Sequence, residues 1–258
     1  MSILLPLYVY PHSGAWDPLF AAAKAHPDVE FTTIINPCSG PCLNTLPDTV
    51  YLSAIPKLRS YPNIRTLGYV ATNYTAKDIN TVISEIDTYA NWPKMANNTK
   101  LKVDGIFFDE TPSVFEKDKY EYLERASRAV KNGTRFRDRF VVHNPGNIPP
   151  SLLMNSNALA TSSYLNLSDI TVVFEEKFDR WLNKATFDAL QSHKVRRSKL
   201  AVILHSIPNL SKKVLDFVVE QVEEAADWVF LTDIGQKDEY YHSFSGFFSD
   251  LVEAVDRG

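Results

Sequence analysis

The chain has 258 residues, of which 45% are hydrophobic and 22% are charged, and these proportions exclude a disordered, coiled-coil or collagen-like protein. The formal net charge is -4 and no block of basic residues is present, which argues against nucleic acid as a partner. The longest apolar stretches, such as 201–204, fall far short of the roughly 20 residues that cross a bilayer, so we expect no membrane partner.

Eight short runs rich in β-branched and aromatic residues recur along the chain, each followed by a polar cluster and a helical pattern. In order they are Leu4 to Tyr10, Phe31 to Asn36, Arg65 to Ala71, Lys102 to Phe108, Arg139 to His143, Ile170 to Phe174, Leu200 to His205 and Trp228 to Thr232. Most are apolar almost without interruption, which is typical of parallel strands covered on both faces. One run occurs about every 32 residues, the length of one strand-and-helix repeat.

This repeat predicts an α/β fold, namely a single (β/α)8 TIM-type barrel over residues 1–258, because such barrels are typically about 250 residues long. The alternative is an open doubly wound sheet. That fold would need a glycine-rich turn after its first strand, and the segment from Pro11 to Gly14 is not one.

Helix signals lie between the predicted strands. Thr75, with Asp78 three residues on, resembles a capping box that opens a helix through Tyr89. The stretch from Pro149 to Ser168 has the weakest pattern, and we expect a short helix and a long loop there. Between Ser211 and Ala226, an apolar stripe predicts the buried face of a helix. Its members are Val214, Phe217, Val218 and Val222.

Carboxylates end two of the predicted strands. The fourth run leads into Asp109 and Glu110, and the sixth leads into Glu175. Active sites of such barrels lie at the C-terminal ends of the strands, and strands four and six contribute to the same inward layer. We therefore expect the carboxyl groups of Asp109 and Glu175 to face each other, within the range of about 5 to 9.5 Å that glycosidases use to cleave an acetal.

Other polar residues at strand ends are candidate sugar ligands. They are Tyr10, Asn36, Tyr74, Asn144, His205 and Asp233. The rings of Tyr10 and Tyr74 are of the kind that stack on sugar faces. A strand-end acid can also serve only as a helix N-cap or a solvated loop residue, and we interpret Glu116, Asp118 and Glu176 in that way.

Metal-dependent hydrolysis is the competing chemistry, because His143, His205 and Asp233 end strands five, seven and eight. Barrel metallohydrolases usually open with two histidines one residue apart on the first strand, and only His12 is present here. We therefore predict that no metal ion or other cofactor is used.

Cys38 and Cys42 lie four residues apart in the loop after the second strand. Three interpretations stay open: free thiols, a short-loop disulfide, or half of a metal site. Free thiols are narrowly preferred, and the metal site ranks last because no second pair of ligands accompanies the cysteines.

The sequence features that bear on localisation disagree with one another. Asn-x-Ser/Thr sequons favour secretion weakly, whereas the segment from Met1 to Tyr10 lacks the pattern of a signal peptide. The sequons are at Asn73, Asn97, Asn132, Asn166 and Asn209. The compartment is therefore left open.

Several segments, in the correct order, together resemble the spherulin-4-like family. They are Tyr8 to Pro11 with Gly14 to Trp16, Ile34 to Pro37 with Ser39 to Pro41, Leu67 to Thr72, Asp104 to Glu110, His143 to Gly146 and Val173 to Glu175. The resemblance implies a barrel related to fungal hydrolases that cut α-1,4-linked galactosamine or N-acetylgalactosamine polysaccharide, with Asp109, Glu110 and Glu175 as the functional acids. The chain departs from the family where Cys38 and Cys42 replace an Asn and a Gly.

We therefore predict a retaining, endo-acting glycosidase that acts as a monomer on a polysaccharide or oligosaccharide. Asp109 is the predicted nucleophile, Glu175 the acid/base, and Glu110 supports one of them by hydrogen bonding or charge. The reverse assignment of nucleophile and acid is also compatible with the sequence. The alternative function is a non-catalytic carbohydrate-binding, stress or structural protein that keeps the barrel.

Overall fold

The computed structural model describes residues 1–42, 45–150, 164–191, 195–236 and 239–258. Within these residues, eight strands are parallel, pair in chain order and close into a barrel. They are β1 (Ser2–Leu7), β2 (Phe31–Ile35), β3 (Ile64–Ala71), β4 (Gly105–Asp109), β5 (Phe140–His143), β6 (Ile170–Lys177), β7 (Leu200–His205) and β8 (Trp228–Leu231). Each overlaps one predicted run, so the prediction of a (β/α)8 barrel is confirmed.

Helices alternate with the strands and cover the outside of the barrel. In the described part of the chain they are α1 (Asp17–Ala25), α2 (Thr49–Leu58), α3 (Ile79–Met95), α4 (Lys117–Lys131), the single turn α5 (Phe178–Trp181), α6 (Lys184–Gln191), α7 (Lys212–Glu223) and α8 (Phe248–Arg257). None of the described helices combines the length and the hydropathy needed to cross a membrane.

Burial on both faces explains the apolar strands. Every residue of β2 and of β7 is buried. Side chains inside the barrel cover one face of such a strand and the helices cover the other, so both faces are apolar. Because all strands run in the same direction, their C-terminal ends meet at one rim, which carries both Asp109 and Glu175.

The start of α3 differs from the prediction. Asp78 is its N-cap, with the carboxylate accepting hydrogen bonds from the backbone N–H groups of Asn80 and Thr81 at 2.9 and 3.1 Å. The predicted start at Thr75 is wrong, because an N-cap residue normally has extended backbone, whereas Thr75 has a φ of 75°. The helix also continues beyond Tyr89 to Met95.

The apolar stripe predicted as the buried face of α7 is wrong for two of its four residues. The buried residues of this helix are Leu215, Val218, Val219 and Val222. Val214 and Phe217 are instead 44% and 58% exposed. Both sets repeat with helical spacing, and the helix is rotated so that the face through Leu215 and Val219 meets the barrel.

The short helix and long loop predicted between Pro149 and Ser168 lie mostly outside the described residues. The description resumes at a 3₁₀ turn, Tyr164–Asn166, just before β6.

Candidate active site

Asp109 ends β4 with its carboxylate tied to three donors. Oδ2 accepts a hydrogen bond from the Tyr69 hydroxyl at 2.8 Å. Oδ1 accepts one from the backbone N–H of Glu110 at 2.9 Å and one from Nδ2 of Asn144 at 2.8 Å. Burial raises the pKa of Asp109, and these three hydrogen bonds oppose that shift because they stabilise the anion.

Glu175 faces the barrel mouth because of a local irregularity in β6. Phe174 packs outward on Trp181, with ring centroids 5.8 Å apart. Since side chains alternate along a strand, the next residue turns inward. The register against β7 shifts between Val172 and Phe174, and such a bulge re-aims the side chains that follow it.

Two side chains hold the Glu175 carboxylate. Oε2 accepts a hydrogen bond from Nδ2 of Asn144 at 2.6 Å, and Oε1 accepts a short one from the Tyr241 hydroxyl. Burial raises the pKa of Glu175, and the negative charge of Asp109 raises it further, while the hydrogen bonds from Tyr241 and Asn144 lower it. The net direction is upward, so this carboxyl group retains its proton to a higher pH than a solvated glutamate.

One nitrogen atom bridges the two carboxylates. Hydrogen bonds of 2.8 Å to Asp109 and 2.6 Å to Glu175 meet at Nδ2 of Asn144, so the two bonded oxygens are at most about 5.4 Å apart. The carboxylates thus face each other across the intervening strand, as their place at the ends of strands four and six predicts. Their catalytic roles stay a prediction.

Asn144 is itself fixed from several sides. It follows β5 directly, and its backbone N–H donates to the carbonyl of Phe108 at 2.8 Å while its carbonyl accepts from Thr111 at 3.0 Å. Oδ1 accepts a hydrogen bond from the N–H of Gly146 at 3.0 Å. Because Oδ1 is engaged there, Nδ2 is directed at the two carboxylates.

Three tyrosines line this pair, and no role was predicted for any of them. The Tyr8 ring makes edge contacts with the rings of Tyr69 and Tyr241, at centroid distances of 5.7 and 5.5 Å. Burial and the neighbouring negative charges raise the pKa of all three tyrosines, so they stay protonated and Tyr69 and Tyr241 act as donors.

A glycine fixes the position of Tyr69. The backbone N–H of Tyr69 donates to the hydroxyl of Tyr89, a buried residue of α3, at 3.1 Å. The Tyr89 ring fits because Gly68 has no side chain, since a Cβ there would lie 2.7 Å from the ring atoms. Alternation along β3, in phase with Leu67 and Ala71, is the signal that could have identified Tyr69 as inward-facing.

The support that Glu110 is predicted to give one of the acids by hydrogen bonding or charge stays a prediction for its side chain. Its backbone N–H, not its side chain, contacts Asp109. The Glu110 carboxylate is half-buried and forms no hydrogen bond or ion pair with the described residues. The backbone of Glu110 has a φ of 53°, and its carbonyl accepts a hydrogen bond from the N–H of Tyr74 at 2.7 Å.

Two predicted sugar ligands lie near the rim and make local contacts. The Tyr10 side chain is 47% exposed, its hydroxyl donates to Asp48 at 3.1 Å, and its ring makes an edge contact with Tyr51. Asn36 uses Oδ1 to accept the N–H of Gly40 at 2.8 Å, which fixes its own loop.

Two further predicted ligands are His205, the last residue of β7, and Asp233, which follows β8. His205 is buried, and its ring lies against Tyr240 with the centroids 3.9 Å apart. Asp233 is exposed, and its carboxylate accepts the N–H of Gly246 at 3.3 Å. Within the described residues, neither side chain forms a hydrogen bond with Asp109 or Glu175.

Cys38 and Cys42 form a disulfide, so the preference for free thiols is wrong. The loop turns tightly through Ser39 and Gly40, with φ values of 50° and 143°. This brings the two Cα atoms to 5.0 Å, within the range that a disulfide requires.

The histidine of β5 faces away from the mouth. His143 Nε2 is 3.0 Å from the hydroxyl of Ser127 in α4, and burial lowers the pKa of His143 to about 3. Among the residues that the structure describes, no three His, Cys, Asp or Glu side chains are grouped so that they could hold a metal ion.

Comparison with known proteins identifies the family. The model of spherulation-specific family 4 matches residues 2–255. The chain belongs to this family. Spherulin-4 of Physarum polycephalum is 28% identical over an alignment of 264 positions, which covers 99% of this chain and 70% of that protein.

Two solved structures are similar to this chain to different degrees. The crystal structure of Aspergillus clavatus Sph3 in complex with GalNAc has 40% sequence identity and a TM-score of 0.90, with coverage of 99% of this chain and 97% of that one. A broad-specificity GH5-4 endoglucanase from Bacteroides salanitronis has 8% identity and a TM-score of 0.50. The match covers 100% of this chain and 92% of that one, and it shows a shared fold alone.

Proposed function

We propose that this chain is a retaining glycoside hydrolase that cleaves within α-1,4-linked galactosamine or N-acetylgalactosamine polysaccharide, acting as a monomer. The observation that carries the proposal is the facing pair Asp109 and Glu175. The two carboxylate oxygens that share Nδ2 of Asn144 lie at most about 5.4 Å apart. Carboxyl groups are about 5 to 5.5 Å apart in retaining enzymes, whereas inverting enzymes leave roughly 6.5 to 9.5 Å for a water molecule. Similarity to a structure that holds GalNAc supports the choice of sugar.

The surroundings of the two acids favour Asp109 as the nucleophile. A nucleophilic carboxylate must be ionised, and three hydrogen bonds stabilise the Asp109 anion. A general acid must be protonated before reaction, and burial together with the Asp109 charge raises the pKa of Glu175. Burial raises the pKa of both acids, so the proposed roles follow from the difference in their partners: three hydrogen bonds stabilise the Asp109 anion and two stabilise that of Glu175.

The reaction then follows two steps. The Asp109 carboxylate attacks the anomeric carbon while Glu175 gives its proton to the glycosidic oxygen, so the C–O bond breaks and the leaving sugar departs as an alcohol. Glu175, now ionised, takes a proton from water as that water attacks the anomeric carbon and releases Asp109. Two inversions at the same carbon retain its configuration.

The neighbouring side chains position the acids and the sugar. Asn144, Tyr69 and Tyr241 hold the carboxylates in place through the hydrogen bonds described above. The carboxylate of Glu110, which has no hydrogen-bond or ion-pair partner in the described part of the chain, is available to accept a hydrogen bond from a sugar hydroxyl. We assign sugar contacts to the residues that line the rim, which are Tyr10, Asn36, Tyr74, His205 and Asp233.

Cleavage of defined polysaccharide tests this function. Wild type, Asp109→Asn and Glu175→Gln should be incubated with acetylated and deacetylated α-1,4-linked galactosamine polymers, with release of reducing ends as the readout. Each active-site substitution is expected to lower kcat by at least about 10³-fold. Glu121→Gln, an exposed glutamate of α4, is the matched control and should cleave like wild type.

The other outcomes separate the alternatives. Undiminished cleavage by Asp109→Asn would contradict the site assignment. Binding of the polymer by wild type without any cleavage would favour a non-catalytic carbohydrate-binding protein. Activity is expected to survive exhaustive chelation, and its loss would point to metal-dependent hydrolysis.

A further inference from the structure

A left-handed turn follows β3 at the rim of the barrel. Asn73, Tyr74 and Thr75 have φ values of 47°, 51° and 75°, and none of them is glycine. Left-handed backbone is unfavourable for residues with a Cβ atom, and such residues normally occur singly. Three in succession persist only where the surroundings impose the conformation.

Hydrogen bonds to the backbone carbonyls of Asp109 and Glu110 impose this left-handed turn. The N–H of Tyr74 donates to the carbonyl of Glu110 at 2.7 Å, and the N–H of Thr72 donates to the carbonyl of Asp109 at 2.9 Å. The Thr72 hydroxyl adds a hydrogen bond of 2.7 Å to the carbonyl of Glu110. The backbone of Tyr74 is therefore fixed relative to the proposed nucleophile.

The side chain that this turn presents has no structural partner among the described residues. Tyr74 is 58% exposed and forms neither a side-chain hydrogen bond nor a ring contact with them. Tyr8, Tyr69 and Tyr241 differ, because each packs against another ring near the two acids. Stability alone does not explain a strained turn that exposes an aromatic ring.

We propose that Tyr74 is a stacking platform for one sugar unit of the polysaccharide, adjacent to the unit that is cleaved. Exposed aromatic rings bind the apolar faces of sugars, and a platform on fixed backbone loses little conformational entropy when it binds. The inference rests on the proposed function and extends it to chain length: substrates long enough to cover Tyr74 bind more tightly than shorter ones.

Tyr74→Gly separates this role from a structural one. Glycine adopts a positive φ without strain, so Tm should stay unchanged or rise by about 1–4 °C. Loss of the ring should raise KM for α-1,4-linked N-acetylgalactosamine oligomers of four to seven units by about tenfold, with kcat within about twofold. Tyr74→Trp keeps a ring and should keep KM within about twofold of wild type.

Asn97→Gly is the matched control. Asn97 is also exposed with a φ of 49°, and it follows the C-terminal end of α3, away from the catalytic rim. Its replacement should affect Tm in the same way as Tyr74→Gly and leave KM unchanged. A lower Tm in Tyr74→Gly, or the same rise of KM in both variants, would contradict the proposal that Tyr74 is a stacking platform.

Binding measured without turnover keeps the test independent of cleavage. In the Asp109→Asn background, titration calorimetry with the same oligomers should show a Kd about tenfold higher when Tyr74→Gly is added. An unchanged Kd, or no binding by the parent variant, overturns the platform. Failure of wild type to cleave, with the Kd difference intact, would overturn only the proposed hydrolase.

Discussion

The carboxylates of Asp109 and Glu175 accept hydrogen bonds from one and the same nitrogen atom. That atom, Nδ2 of Asn144, is held in place because Oδ1 of the same amide accepts the N–H of Gly146. One side chain therefore links the positions of the two acids. The other oxygen of each carboxylate accepts a hydrogen bond from a tyrosine, which is Tyr69 for Asp109 and Tyr241 for Glu175. This arrangement makes separate predictions for the shared donor and for the two tyrosines.

Removal of the shared donor should affect both acids. Asn144→Ala deprives both Asp109 and Glu175 of a hydrogen bond that stabilises the anion, so the pKa of each should rise. We expect kcat to fall by about 10² to 10³-fold and both limbs of the kcat/KM pH profile to move to higher pH. Asn132→Ala, at an exposed asparagine, is the control, and an unchanged profile in Asn144→Ala would contradict the assignment.

The two tyrosines should affect different limbs of that profile. Tyr69→Phe removes a donor from Asp109, whose pKa should rise, so the acidic limb, which requires ionised Asp109, moves to higher pH. Tyr241→Phe raises the pKa of Glu175, so the alkaline limb, which requires the protonated acid, moves to higher pH. If Tyr69→Phe instead moves the alkaline limb and Tyr241→Phe moves the acidic limb, the roles of nucleophile and acid are assigned the wrong way round.

The barrel and the two acids could be predicted because the signals are local. A strand covered on both faces must be apolar along its whole length, as β7 is, so eight such runs are visible in the sequence. Asp109 and Glu175 each follow such a run, and parallel strands bring their C-terminal ends together.

The partners of these acids depend on tertiary structure and could not be predicted. Tyr241 lies in the loop after β8, where no pattern indicates its contact with Glu175. The inward direction of Glu175 depends on a bulge that the sequence does not reveal. The φ of Tyr74 depends on hydrogen bonds to Glu110, which is 36 positions further along the chain.

The disulfide should contribute measurably to stability. A loop as short as 38–42 corresponds to about 2 kcal/mol of stabilisation, or roughly 4–8 °C in Tm for a chain of this size. Reduction should therefore lower Tm by that amount, as measured by thermal unfolding with and without a reductant. The Cys38→Ala, Cys42→Ala double variant should show no response to the reductant, and titration of two thiols in the denatured, unreduced protein would contradict the bond.

Burial of His143 should make the protein less stable in acid. Its pKa is lowered to about 3 in the folded state, against about 6.5 in an unfolded chain. Between these values the unfolded chain binds the extra proton, so the free energy of unfolding falls as pH decreases below about 6.5. The urea midpoint should fall more between pH 7 and pH 4.5 for wild type than for His143→Gln, and an equal fall would show that another group is responsible.

Trapping the covalent intermediate tests the central claim most directly. In Glu175→Gln the second step lacks its base, and the α-fluoride of an N-acetylgalactosamine disaccharide needs no proton donor for the first step. Peptide mass spectrometry of the treated variant should find the disaccharide esterified to Asp109, with no adduct in a variant that also carries Asp109→Asn. Release of fluoride without any adduct, or an adduct on Glu110 instead of Asp109, would contradict the account.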